Sequence, residues 1–210
     1  MCLNYRIVKR IFDIISATLL LLVISPLFVV LIVLTRIMLG SPVLFKQKRS
    51  GLNQRPFYIR KFRTMTNAVD EDGNILADEL RKTTFGNFMR STSLDELPEL
   101  ISIIKGDMSV IGPRPLPVEY DEYYTSDEKK RFLVRGGLIP PDSVLEETYI
   151  SWDEQLRIES MYAKNLSFGE DLKIFLSAFK ILTKRKKSGY GEVFRKSLLE
   201  ERERSEKWIG

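Results

Sequence analysis

The 210-residue chain has no histidine and a single cysteine, Cys2. Without histidine there is no Ser-His-Asp triad, no imidazole base, no phosphohistidine and no His-ligated zinc. One cysteine excludes an intrachain disulfide and a cysteine-rich metal centre. Acid–base chemistry therefore falls to carboxylates, Lys, Tyr or Ser/Thr. A metal, if used, should be a hard oxygen-seeking ion such as Mg²⁺, or Mn²⁺ in its place. Neither a P-loop nor a dinucleotide-binding glycine fingerprint occurs, which argues against an ATPase or a dinucleotide enzyme. Internal repeats and low-complexity stretches are also missing.

Acidic residues are scarce in the first third. Residues 1–66 hold eleven Lys/Arg against one acid, Asp13, for a net +10, while the remainder holds 22 against 27, for −5. A basic arm beside an apolar segment suits anionic lipid headgroups or a phosphate ligand. Charge alone would also suit nucleic acid. The embedded apolar run and the lack of interleaved aromatics argue against nucleic acid.

That apolar run, residues 14–35, is 22 residues without a charge. As one helix it would be about 33 Å long, near the ~30 Å of a bilayer core. It is too long for a cleavable leader, and no small-residue cleavage site follows. Two readings stay open, a simple spanning helix and a re-entrant hairpin. Ser25-Pro26 lies mid-run, and Pro26 can neither donate to the Leu22 carbonyl nor avoid crowding it, so the helix should bend there. The halves, 14–24 and 27–35, would each be about half a bilayer long. Basic residues flank both ends and prefer the cytoplasmic side, which a hairpin satisfies at both.

The fold class expected is α+β and mainly helical. An N-terminal membrane helix hairpin (1–40) precedes a compact cytoplasmic domain with short strands (41–190) and a charged tail (191–210). Short strands are expected at 43–45 and 56–59, around the turn Ser50-Gly51-Leu52-Asn53. Residues 69–74 read as a solvated loop, 83–104 as mainly helix, 109–117 as extended, 119–132 as a charged helix and 135–142 as a Gly/Pro loop. Helices are expected at 152–162 and 168–183, the second amphipathic with Leu172, Phe175, Leu176, Phe179 and Leu182 on one face. A basic cluster, Lys184-Arg185-Lys186-Lys187, follows, and 195–207 reads as a solvated helix.

Three clusters carry candidate chemistry. In Ser93-Leu94-Asp95-Glu96-Leu97-Pro98, Ser93 and Glu96 fit a capping box at a helix start. Asp95 near such a start would be held as a carboxylate, and a phosphate could bind the same amides. Two adjacent acids can divide labour between attack on phosphorus and metal or proton handling. In Ile111-Gly112-Pro113-Arg114-Pro115, a stiff backbone would hold Arg114 for a bidentate phosphate grip. In Arg60-Lys61-Phe62-Arg63-Thr64-Met65, a strand would put Lys61 and Arg63 on one face, where they could meet a diphosphate. Each also has a bland reading: a helix cap, a surface arginine, a basic strand edge.

Taken in order, these motifs resemble the monotopic phosphoglycosyl transferases, a family that starts bacterial glycan assembly. The resemblance also rests on Lys9-Arg10-Ile11-Phe12-Asp13, Ser25-Pro26, Gly40-Ser41-Pro42-Val43-Leu44-Phe45-Lys46-Gln47 and Gly106-Asp107-Met108-Ser109-Val110, and more loosely on 162–171. It covers roughly residues 6–185. It implies a re-entrant helix in the bacterial inner membrane, a catalytic domain on the cytoplasmic face, and Mg²⁺. It implies two steps: Asp95 attacks the sugar-bearing phosphorus of a UDP-sugar, releasing UMP, and polyprenol (undecaprenyl) phosphate then takes the phosphosugar. The product would enter capsule, O-antigen, exopolysaccharide or glycoprotein assembly. Glu96, with Asp95, would hold the metal or activate the lipid phosphate. Lys61, Arg63, Arg90, Arg114 and Pro115 would bind substrate. A homo-oligomer is compatible with the sequence. The chain departs from the family pattern over 136–147, where a Gly-Arg element is absent, and in having Glu159 where Asp is usual. The competing class is a non-catalytic membrane-surface adaptor, in which Asp95 and Glu96 only cap a helix.

Overall fold

The computed structural model of the protein describes residues 2–145, 150–185 and 196–206. Glu146, Glu147, Lys186, Lys187, Arg195 and Lys207 lie outside the described residues. In chain order the elements are α1 (Cys2–Val23), α2 (Ser25–Leu39), β1 (Leu44–Ser50), β2 (Pro56–Phe62), α3 (Asp78–Arg81), α4 (Thr84–Ser91), α5 (Glu99–Lys105), β3 (Met108–Ile111), β4 (Gly136–Ile139), α6 (Trp152–Lys164), α7 (Phe168–Arg185) and α8 (Leu198–Glu206).

α1 and α2 meet at Ile24 with a bend of 66°. Pro26 withholds a donor from the Leu22 carbonyl, and the Ser25 hydroxyl supplies one at 2.8 Å. The Ser-Pro pair therefore breaks the helix and satisfies the acceptor that the break exposes. The bend is open, so the limbs do not fold back on each other as a closed hairpin would. Among the described residues no single helix is long and apolar enough to cross a membrane; the bent pair together has that length and composition.

α1 carries three charges on the side that faces the protein, Lys9, Arg10 and Asp13. The buried Asp13 accepts from Ser109 Oγ at 2.7 Å and from the Val110 amide at 3.0 Å. Arg10 donates to the Ile103 and Ile104 carbonyls at 2.7 and 3.0 Å, at the C-terminal end of α5, where a cation is favoured. Ala17 then packs with Ile59, Leu100, Ile103 and Met108. The other side of α1 leaves Ile11, Phe12, Ile15, Leu19 and Leu22 exposed.

β1 and β2 form an antiparallel pair in register from Leu44↔Phe62 to Ser50↔Pro56. Both strands run longer than the apolar segments that suggest them, because the basic residues between alternate cleanly. Arg49, Ile59 and Lys61 share one face; Lys46, Lys48, Tyr58 and Arg60 share the other.

Four expected elements differ, one of them the solvated C-terminal helix, since α8 buries Leu198 against Trp152 and Leu156. The 83–104 helix is broken: Ser93 sits in the left-handed region at φ 55°, a 3₁₀ turn spans Leu94–Glu96, and α5 starts only at Glu99. The 119–132 segment is two 3₁₀ helices, Val118–Tyr123 and Glu128–Leu133. The 135–142 loop contains β4, which pairs in parallel with β3. Its glycines serve close approach: a Cβ on Gly137 would lie 2.1 Å from the Gly112 amide nitrogen.

Gly137→Ala should therefore force the β3–β4 region apart and cost at least about 1–3 kcal/mol. Gly169→Ala in α7, where a Cβ meets no atom within 4 Å, should be neutral or slightly stabilising. Denaturant unfolding of both variants checks the contrast; equal midpoints would show that the glycine contact is dispensable.

Candidate active site

Asp95 and Glu96 stand on the 3₁₀ turn between α4 and α5. Leu94 and Leu97 anchor that turn against the Leu31, Phe62 and Met89 cluster, which leaves both acids half-buried at its outer side. The capping box does not form: Ser93 makes no side-chain cap bond, and Glu96 turns instead to Lys61. Asp95 precedes the first residue of α5 by four positions, so the helix-start argument passes to Glu99. Burial raises the Asp95 pKa, and the neighbouring Glu96 charge adds to the rise, while Lys61 and Arg90 oppose it.

Lys61 bridges two acids. Its ammonium lies 2.5 Å from Glu96 Oε1 and 3.4 Å from Glu99 Oε1. Glu99 is only 5% exposed. Burial pushes its carboxyl up to about 7, Lys61 opposing and Glu96 reinforcing the shift. Arg114 approaches Glu96 from the far rim at 3.9 Å. Arg49, Lys61, Glu96, Glu99, Arg114 and Pro115 line a small open recess together with Ile59, Gly137 and Leu138. Arg90 stands on α4, bonds Thr64 Oγ1 at 3.0 Å, and extends its charge to Asp95.

The structure thus brings Lys61, Glu96, Arg114 and Pro115 together, with Asp95 and Arg90 adjoining. Arg63 goes elsewhere. The strand ends at Phe62, the two-residue alternation lapses, and Arg63 is buried beneath the exit of α2, donating to the Ser41 carbonyl at 3.0 Å.

Sequence reading misses Glu99, Arg49 and the buried pairing of Arg131 with Glu159, a residue it notes only as a departure from the family pattern. Arg131 Nε donates to Glu159 Oε2 at 2.8 Å, and the two side chains are 1% and 0% exposed. The Arg114 amide donates to Glu159 Oε1 at 2.9 Å, and Arg131 Nη2 donates to the Arg114 carbonyl at 2.5 Å. The pair clamps both backbone groups of Arg114. Glu99 reads from sequence as an ordinary first-turn acid and Arg49 as one of a basic run. Arg131 and Glu159 are 28 positions apart with no local pattern joining them.

Among the described residues no group of three or more His, Cys, Asp or Glu could hold a metal ion. The other mode of Mg²⁺ binding uses one or two carboxylates completed by water and substrate phosphates, and Asp95 and Glu96 are of that donor type.

Glu99 gives a pH signature. Its carboxyl is raised in the folded protein, so its stabilising contribution is full below about pH 4.5 and is lost as pH rises through about 7. Relative to wild type, Glu99→Gln should gain stability as pH rises from about 4.5 to about 7, by on the order of 3 kcal/mol, and then level off. Melting curves across that range check it; a pH-independent gap would show Glu99 ionised throughout.

The bacterial sugar transferase family model matches residues 4–185. Uncharacterized sugar transferase EpsL of Bacillus subtilis is 42% identical over 177 residues, covering 84% of this chain and 88% of that protein. The exopolysaccharide production protein ExoY of Rhizobium meliloti is 33% identical, covering 79% of this chain and 81% of its own. The UDP-glucose:undecaprenyl-phosphate glucose-1-phosphate transferase of Klebsiella pneumoniae is 35% identical over 82% of this chain, which spans only 39% of that longer protein. The chain, a transferase, belongs to the bacterial sugar transferase family.

Proposed function

We propose that the protein transfers a phosphosugar from a UDP-sugar to undecaprenyl phosphate, releasing UMP, through a covalent intermediate on Asp95. The observation that carries this reading is the Asp95-Glu96 pair set beside Lys61 and Arg114 at a recess, in a chain that also carries a bent apolar helix pair. The Klebsiella relative, named for that class of transfer, supports it. The adaptor reading needs Glu96 as a helix cap, a role its turn toward Lys61 disfavours.

In the first step an Asp95 oxygen bonds to the sugar-bearing phosphorus, and the bond from that phosphorus to the bridging oxygen breaks. UMP leaves with that oxygen. In the second step an oxygen of undecaprenyl phosphate bonds to the same phosphorus, the bond to Asp95 breaks, and the carboxylate is restored. Lys61 and Arg114 offset the negative charge of the phosphoryl group in both steps. Asp95 and Glu96 would hold Mg²⁺, which supplies further charge neutralisation at the diphosphate.

The membrane part of the proposal places α1 and α2 as a re-entrant element in the bacterial inner membrane, with the remaining domain on its cytoplasmic side. The bend and the exposed apolar side of α1 support it. So does α7, whose Phe168, Leu172, Phe175, Leu176 and Phe179 form an exposed apolar face. That helix is tied to the start of α1, since Asp171 accepts from Tyr5 at 2.6 Å and Lys9 at 2.7 Å. The exposed apolar faces of α1 and α7 each suit the lipid interface.

Purified enzyme given UDP-sugars without acceptor should release at most about one UMP per protein and gain a phosphosugar mass. Asp95→Asn should abolish both, EDTA should stop turnover, and Mg²⁺ should restore it. An adduct on Asp95→Asn protein would move the nucleophile elsewhere. Acceptor-dependent release only would favour direct displacement.

A further inference from the structure

Resting on the proposed phosphosugar transfer, we infer that Arg49 is a further anion-binding residue, which with Arg114 frames a seat for one phosphate group of a substrate. Arg49 lies on β1 and shares with Lys61 of β2 the face toward the recess. Its Nε is buried with no hydrogen-bond partner, and its Nη2 reaches only a neutral group, Gln47 Oε1, at 2.6 Å. Among the described residues it forms no ion pair.

Glu99 and Glu119 favour its charge from beyond ion-pair distance, and neither touches it. Glu96 is engaged by Lys61 at 2.5 Å, and Glu99 by the same ammonium at 3.4 Å. Across the recess stands another guanidinium, Arg114. Burial disfavours the charged form of Arg49 and Arg114 adds repulsion, and Glu99 and Glu119 offset this only in part, since the net shift is downward. Two arginines that repel across an open recess, one with an idle buried N–H, form an anion site lacking its anion's charge. Planar guanidinium forks match the oxygens of phosphate.

Backbone bonds fix their separation. Arg49 pairs with Phe57 on one side and forms a bridge to Pro117 on the other. The Ser50 amide donates to the Leu116 carbonyl at 3.1 Å. β1 is thereby stitched to the extended segment that leaves Arg114-Pro115, whose Arg114 backbone the Arg131–Glu159 pair holds. The two guanidinium groups are mounted on one stiff frame.

The phosphate could belong to the nucleotide or to the lipid, and binding tests separate them. Full-length protein in detergent would be titrated calorimetrically with UMP and, separately, with a short-chain polyprenyl phosphate. Arg49→Gln should weaken one probe by about tenfold or more, the scale of a charge-assisted hydrogen bond. Loss for UMP assigns the seat to the nucleotide side, and loss for the polyprenyl phosphate to the lipid side. Arg49→Lys, which keeps charge without the fork, should lose several-fold on the same probe. Lys48→Gln, on the opposite strand face, should bind both as wild type does. If either Arg49 variant melts with the wild type and binds both probes with wild-type affinity, the inference fails. It also fails if both variants melt well below wild type, which would make Arg49 a folding residue, or if Lys48→Gln loses as much. A wild type that binds neither probe would instead sink the proposed function itself.

Discussion

Burying Arg131 against Glu159 takes two charges out of water, a cost of several kcal/mol per ion unless the remaining donors and acceptors find partners. Here they do. Glu159 accepts from Arg131, Gln155 and the Arg114 amide, while Arg131 also reaches Tyr124 Oη and the Arg114 carbonyl. An apolar pair of similar volume could match its stability but could not hold both backbone groups of Arg114. What the pair provides is position. The rim of the recess hangs from it: Arg114 faces Glu96, Glu96 is fixed by Lys61, and Lys61 is fixed by the β1–β2 pair.

The same economy of polar groups governs α1. Asp13 and Arg10 would be costly in lipid, yet each is enclosed by protein: Asp13 by Ser109 and Val110, Arg10 by the carbonyls closing α5. Because these contacts lie on one side of α1, they set its rotation and leave the apolar side outward. α7 follows the same rule. Its Asp171 turns inward to Tyr5, Lys9 and Tyr162, which fixes where Phe175 and Phe179 emerge. Polar bonds inside orient the apolar faces outside.

What the sequence made legible was local chemistry. Pro26 breaks the helix at the first turn of α2, so the bend was readable. The alternation that put Lys61 toward the recess was readable too, but where it stopped was not. That ending sends Arg63 under α2 and depends on Phe62 packing with Leu31 and Met89. The left-handed Ser93 was hidden for a similar reason. Its neighbours Leu94 and Leu97 pack inward together, and the backbone yields to place them, against an attractive capping pattern. Gly136-Gly137 looked like a loop because glycine marks both turns and close approaches, and only the partner strand tells which. Arg131 and Glu159 are long-range by nature, and no periodicity could join them.

The recess carries Arg49, Lys61 and Arg114 against Glu96 and a Glu99 whose charge is weakened by burial. Its excess is positive but modest, enough for one phosphate or diphosphate at a time. Two phosphate-bearing substrates held there together would repel at short range, in a half-buried setting where water screens little. A half-buried carboxylate at the edge, Asp95, offers a way round that repulsion. It can keep the phosphosugar while the departing UMP vacates the cationic seats for the incoming lipid phosphate. On the proposed reading, the two-step course follows from the charge balance of the recess as much as from the nucleophile.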